Sequence, residues 1–205
     1  LSTALRNDNA LLRLTTNLIN FERADTYSNN FYVSEYELGA YMTDIVNVFR
    51  SYASVKHIDL TYESNFRYLN VWLDKDKMDS ILKNIISNAL KYTPEGGSVH
   101  VYAYETEDTW NVEVSDTGIG IPLDEQKKLF KMHFRGSNAI NSKVTGSGIG
   151  LLLVWKLVHM HKGKLNFTST EGKGSCIKVS FPKGEKRYRK AIHRPAPTKE
   201  QEQNN

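Results

Sequence analysis

The stretch Ser115-Asp116-Thr117-Gly118-Ile119-Gly120-Ile121-Pro122 follows an alternating run, Val112-Glu113-Val114, and halts it with two glycines and a proline. A carboxylate placed there ends a buried strand, and the glycines let backbone approach a flat ligand with no Cβ in between. On these eight residues alone, a polar turn that happens to contain an aspartate reads equally well. The neighbouring segments have to decide.

Immediately upstream, Thr93-Pro94-Glu95-Gly96-Gly97 is a turn, Ser98 to Glu105 alternates as a strand, and Asp108 begins the turn into Trp110 to Ser115. This hairpin delivers Asp116. Before it lies a helix capped by Asp74 or Asp76 and running to about Lys91, with Met78, Ile81, Leu82, Ile85, Ile86 and Ala89 on one broad apolar face. Asn84, Asn88 and Lys91 fall along one edge of that face. At roughly 100 degrees per residue the two asparagines lie within about 60 degrees of Ile81, so they are expected to be half-buried and to need partners. An amide oxygen can ligate Mg²⁺, Lys91 can supply charge for phosphates, and Tyr92 offers an aromatic face. An ordinary amphipathic helix with its asparagines bonded to nearby backbone is the competing reading.

Downstream, Leu123 to Phe134 is helical in pattern, with Leu129, Phe130 and Phe134 apolar and Arg135 following. Gly136 to Lys143, rich in Gly, Ser and Asn, is expected to be a mobile lid. Thr145-Gly146-Ser147-Gly148-Ile149-Gly150 then opens the apolar helix Leu151 to His161. Glycines at a helix start expose N–H groups at the positive end of the dipole, which suits a phosphate, although a glycine hinge is an alternative. Lys164 to Ser169 and Ser175 to Phe181 read as strands joined by the turn Thr170 to Gly174.

Towards the N-terminus, Ile58 to Tyr62 and Tyr68 to Leu73 read as strands around a polar turn at Ser64 and Asn65. Tyr41 to Tyr52 is helical, and Phe31-Tyr32-Val33 is a short strand. Residues 1 to 25 place Ala4, Leu11, Leu14, Leu18 and Phe21 on a coiled-coil-like seam. Such a helix needs partners from another chain or from preceding sequence, so the chain is expected to be cut from something longer.

Composition narrows the classes. The 205 residues, 40% of them hydrophobic, suffice for one main domain. The single cysteine, Cys176, excludes an intrachain disulfide and is expected to be a packed core thiol. No apolar run approaches the roughly 20 residues that span a bilayer. The net charge of +4 comes entirely from Lys183 onward, where seven Lys or Arg face three Glu. With Pro195, Pro197 and a Gln/Asn/Glu run, that tail is expected to be a solvated linker and not a nucleic-acid binder. The six histidines are scattered, and His159 and His161 point to different faces of one helix, so no metal site is expected from them.

In order, the segments resemble the ATP-binding domain of bacterial sensor histidine kinases over roughly residues 30 to 182. Asn84-Ile85-Ile86-Ser87-Asn88-Ala89-Leu90-Lys91-Tyr92-Thr93 looks like the family's N box. Asp116 to Gly120 looks like its first glycine box, Phe130 to Arg135 its F box, and Gly146 to Gly150 its second glycine box. The resemblance implies an α/β fold, a two-layer sandwich of a mixed sheet backed by helices, preceded by an N-terminal dimerisation helix. It implies that Asp116 accepts from the adenine amino group, that Asn88 with Asn84 holds Mg²⁺, that Lys91 contacts phosphate and that Tyr92 borders the adenine. Gly146, Ser147, Gly148, Ile149 and Gly150 would wrap the phosphates of ATP, and Arg135 would approach the γ-phosphate. Gly118, Gly120, Ile121, Phe130, Leu151 and Ser175 would complete the nucleotide site.

By the same resemblance, residues 1–25 would be the second helix of a dimerisation hairpin, 26–182 the catalytic domain and 183–205 a basic linker. The partners implied are a second copy through the N-terminal helix and a response regulator or receiver domain. The setting implied is a cytoplasmic piece of a parent anchored in the inner membrane by segments outside this chain. No histidine here is followed by the acidic residue and proline of the family's acceptor box, so the phosphoacceptor is expected elsewhere. Two alternatives remain: a hydrolase of the same fold, for which Asn84 stands where a general-base Glu would be needed, and a nucleotide-binding module without catalysis.

Overall fold

In a computed structural model, the described residues are 31–129, 148–184, 188 and, for their backbone, 192–193. The N-terminal helix, Phe130 to Ser147 including Arg135, Gly146 and the expected lid, and most of the tail lie outside them.

The elements are β1 (Tyr32–Glu37), α1 (Leu38–Val55), β2 (Asp59–Ser64), β3 (Asn70–Leu73), α2 (Lys75–Tyr92), β4 (Ser98–Glu105), β5 (Thr109–Asp116), α3 (Leu123–Gln126), α4 (Gly150–Met160), β6 (Lys164–Thr170), β7 (Gly174–Pro182) and β8 (Ile192–His193). Five strands form a mixed sheet in the order β2-β4-β5-β7-β6, parallel only between β2 and β4. The period of two aims Val99, Val101 and Ala103 of β4, Trp110, Val112 and Val114 of β5, and Val179 and Phe181 of β7 at a single buried layer. Helices α1, α2 and α4 close that layer, α2 contributing Met78, Ile81, Leu82, Ile85, Ile86 and Leu90 from its apolar face. This is the expected α/β sandwich.

The two strands read around the polar turn enter different sheets: β2 lies parallel to β4, whereas β3 runs antiparallel to β1 in a second sheet of order β3-β1-β8. Three expectations change. The helix expected from Leu123 ends at Gln126, because its first turn buries nothing: Leu123 is exposed and charged residues follow it. Cys176 is half-buried on the sheet face away from the helices, beside Ser115 across the ladder, and is not a core thiol. Tyr188, within the expected linker, is 1% exposed, and Ile192–His193 pairs with β1.

Candidate functional site

Asp116 ends β5, where its neighbour across the ladder is Ser175 of β7. Its Oδ1 accepts from the Gly118 N–H at 2.8 Å and the Ser175 N–H at 3.2 Å. Burial pushes its carboxyl above the usual range, and those two backbone donors pull the other way. The carboxylate is thus oriented by main chain and half removed from water.

The loop after Asp116 is pressed onto its neighbours. A Cβ at Gly118 would lie 2.6 Å from the Tyr92 carbonyl oxygen, and one at Gly120, where φ is +61°, would lie 2.0 Å from the Thr170 oxygen. The first contact, with the Ile119 N–H donating to Tyr92 O at 3.2 Å, binds the loop to the end of α2. The second binds it to the β6–β7 hairpin. Gly118 and Gly120 therefore serve the protein's own packing whatever they also offer a ligand.

On α2, Asn84 and Asn88 are half-buried as expected. The Asn84 Nδ2 donates to Ser80 O at 2.7 Å, which leaves Oδ1 facing the start of α4, 2.7 Å from where a Gly150 Cβ would stand. Asn88 Nδ2 lies 3.9 Å from the same point. Two helices thus bring both amides to the N-terminus of α4, where Ile149 and Leu151 flank Gly150 and Gly148 adopts φ +72°. Lys91 sits over the Tyr92 ring at 4.9 Å, at the α2 end that receives the Asp116 loop. Asn84, Asn88, Lys91, Tyr92, Asp116, Gly118, Ser175, Ile149 and Gly150 are therefore grouped around α2; Arg135, Phe130, Gly146 and Ser147 lie outside the described residues.

Three supporting residues were not foreseen. Ser169 Oγ accepts from the Ile121 N–H at 2.9 Å and bonds Ser175 Oγ at 2.9 Å. Gln126 Nε2 donates to Ile121 O and Ser169 O, both at 3.0 Å. Lys56 Nζ donates to the α2 carbonyls of Leu90 at 2.8 Å and Lys91 at 3.4 Å and to Thr93 O at 3.1 Å, and burial lowers its pKa. A polar Ser169 on the inward register of Leu165 and Phe167 was a legible signal; Lys56 had none. A cavity of about 300 Å³ at this end of the sheet is lined by Asp116, Ser169, Lys173, Ser175 and Cys176 among others, and neither asparagine reaches it.

The model of histidine kinase-, DNA gyrase B- and HSP90-like ATPases matches residues 73–185, the span that holds every described residue of this site except Lys56. The chain belongs to this family. Among relatives of this ATPase domain, it is 33% identical over 174 residues to the sensor histidine kinase WalK of Bacillus subtilis, covering 84% of this chain and 28% of that protein. It is 31% identical over 177 residues to the circadian input-output histidine kinase CikA of Thermosynechococcus vestitus, covering 84% and 24%. The chain thus spans about a quarter of the length of these relatives. In fold it is similar to the nucleotide-free catalytic domain of histidine kinase ThkA (TM-score 0.65, 24% identity, 74% of this chain and 97% of that one). It is also similar to full-length ShkA in complex with AMPPNP (TM-score 0.77, 22% identity, 89% and 38%).

Proposed function

We propose that this domain binds ATP with Mg²⁺ and donates the γ-phosphoryl group to a histidine on a dimerisation helix outside the described residues. The observation that carries the choice of transfer over hydrolysis is Asn84. It stands four residues before Asn88, where the hydrolases of this fold place a general-base Glu, and its amide is already committed to Ser80 O. An amide cannot take a proton from an attacking water.

The chemistry of the residues suits the ligand. Asp116 offers an acceptor to the adenine amino group, Tyr92 borders the base, and Lys91 supplies positive charge at the same end of α2. The carbonyl oxygens of Asn84 and Asn88 are hard ligands that suit Mg²⁺, and the α4 N-terminus offers N–H groups to phosphate oxygens. When bound, Mg²⁺ neutralises phosphate charge. In transfer, a ring nitrogen of the acceptor histidine attacks the γ-phosphorus and the bond to the bridging oxygen breaks, leaving ADP. The protein's part is positioning, with Arg135 assigned to the γ-phosphate. Residues 1–25 are assigned to the second helix of the dimerisation hairpin and 26–182 to the catalytic domain. A response regulator or receiver domain would take the phosphoryl group, and the membrane would be reached only through other segments. No described helix is long and apolar enough to cross a membrane.

The test is incubation of the chain with γ-labelled ATP, with and without a purified dimerisation hairpin. Acid-labile, base-stable label is expected on the hairpin alone, and Asn88→Ala should lower both Mg²⁺-dependent ATP affinity and transfer at least about tenfold. Label retained on the chain itself, or steady phosphate release without the hairpin, would overturn the reading.

A further inference from the structure

Strand β1 is the first element of the body, and its two ends are held differently. Ser34 to Glu37 pair with β3, but that register does not extend to Tyr32 and Val33, whose strand partner is β8, parallel, at Ile192 and His193. Beside this pairing, Tyr188 is buried at 1% exposure, its ring 5.9 Å from that of Phe31 and its hydroxyl donating to His161 O at 3.3 Å. Phe31 packs edge-on against His161 at 4.7 Å and lies under Lys77 Nζ at 5.8 Å. Lys77 is paired with Asp74 at 2.7 Å, and the Asp74 carboxylate accepts the Tyr32 N–H at 2.9 Å. Residues from beyond the body therefore grip the point at which the N-terminal segment enters it. Tyr188, β8 and β1 all lie outside the stretch matched by the family model, 73–185.

We propose that Tyr188 and β8 form a C-terminal clasp that sets the direction in which the N-terminal segment leaves the catalytic body. The chain after Lys183 is then a handle on the joint: whatever binds or pulls it frees Phe31, Tyr32 and Val33, lengthens the tether and lets the N-terminal segment swing. A longer tether lowers the effective concentration of one tethered part at the other. Only the meaning of this joint for phosphoryl transfer rests on the function proposed above; the clasp itself does not.

Two variants break it differently. Tyr188→Ala removes the buried ring, and Ile192→Pro removes a backbone donor from β8 while leaving Tyr188 in place. In the 205-residue chain, each should speed hydrogen exchange of the amides of residues 31–34 by about tenfold or more, with exchange in β4 and β5 unchanged. ATP affinity should stay within about twofold of the unaltered chain. With spin labels at Asn17→Cys and Ser51→Cys in a Cys176→Ser background, the distance distribution should broaden in both variants. Unchanged exchange at residues 31–34, a distribution already as broad in the unaltered chain, or exchange rising throughout the body with loss of ATP binding would each overturn the clasp. Absence of ATP binding in the unaltered chain would sink the kinase reading instead, and the exchange comparison would still decide the clasp.

Discussion

On the function proposed above, Asp116 would carry two tasks on two oxygens. Oδ1 is engaged by the N–H groups of Gly118 and Ser175, while Oδ2 accepts none of the hydrogen bonds found among the described residues. An asparagine could keep the first task, since its carbonyl oxygen accepts from the same two donors. It would fail the second, because its NH₂ would face the adenine amino group donor to donor. Asp116→Asn should therefore lower ATP affinity at least about tenfold while shifting the melting temperature by only a few degrees; calorimetric titration and thermal unfolding measure the two, and equal losses would reduce Asp116 to a structural turn. Because burial raises this carboxyl, ATP affinity should also begin to fall on acidification at a higher pH than for an exposed aspartate. The position of Asp116 at a strand end followed by glycines was legible in the sequence, although a polar turn reads equally well there. Its support was not: Ser169 meets Ile121 across 48 positions of sequence, and only the fold brings the β6–β7 hairpin back over the loop.

Helix α2 organises the site because it is capped at both ends and packed along one side. Asp74 accepts the Lys77 N–H at its start, and Lys56 gathers the carbonyls at its finish, so Lys91 and Tyr92 sit on a turn that is held and not frayed. Its register against α4 is set where Gly150 meets Asn84. A methyl group at Gly150 would stand 2.7 Å from Asn84 Oδ1, so one of the two must move. Gly150→Ala should cost about tenfold or more in Mg²⁺-dependent ATP affinity but much less in affinity measured with EDTA, and equal losses in both titrations would count against a metal role for Asn84. Elements such as α2, β4 and β5 could be read to within a residue or so, because their caps, turns and periodicity are local. The partners of β2 and β3 could not. Two short strands around a polar turn look like a hairpin, and only the helix–sheet packing sends one to β4 and the other to β1.

At the scale of the molecule, His161 joins the two sheets. Its Nδ1–H donates to Leu157 O at 2.9 Å and its Nε2 accepts the Asp74 N–H at 3.3 Å, so a second proton would set donor against donor. It is fully buried, and burial pushes its pKa down to about 4, with Asp74 favouring the proton and Lys77 opposing it. The unfolded chain binds that proton near pH 6.5 and the folded one does not, so the stability is whole above about pH 6.5 and declines towards pH 4, by about 3 kcal/mol in all. Urea denaturation across this range should show the slope, and His161→Gln should flatten it while lowering stability at pH 7.5; an unchanged slope would place the titration elsewhere. From sequence alone the histidines read only as scattered structural or surface residues; the buried junction at His161 depends on Phe31, Asp74 and Tyr188 arriving from three distant segments. The same distance governs synthesis. The hairpins β4–β5 and β6–β7 are closed by short turns and can pair while translation continues, and β1 can take up β3 once Leu73 has emerged, but its Tyr32–Val33 end must wait for β8. Until residue 193 has left the ribosome, Tyr32 and Val33 have no β8 to pair with. One end of the first described strand is thus among the last to gain its strand partner, and in the nascent domain that end lacks β8 until nearly the whole of the domain has been made.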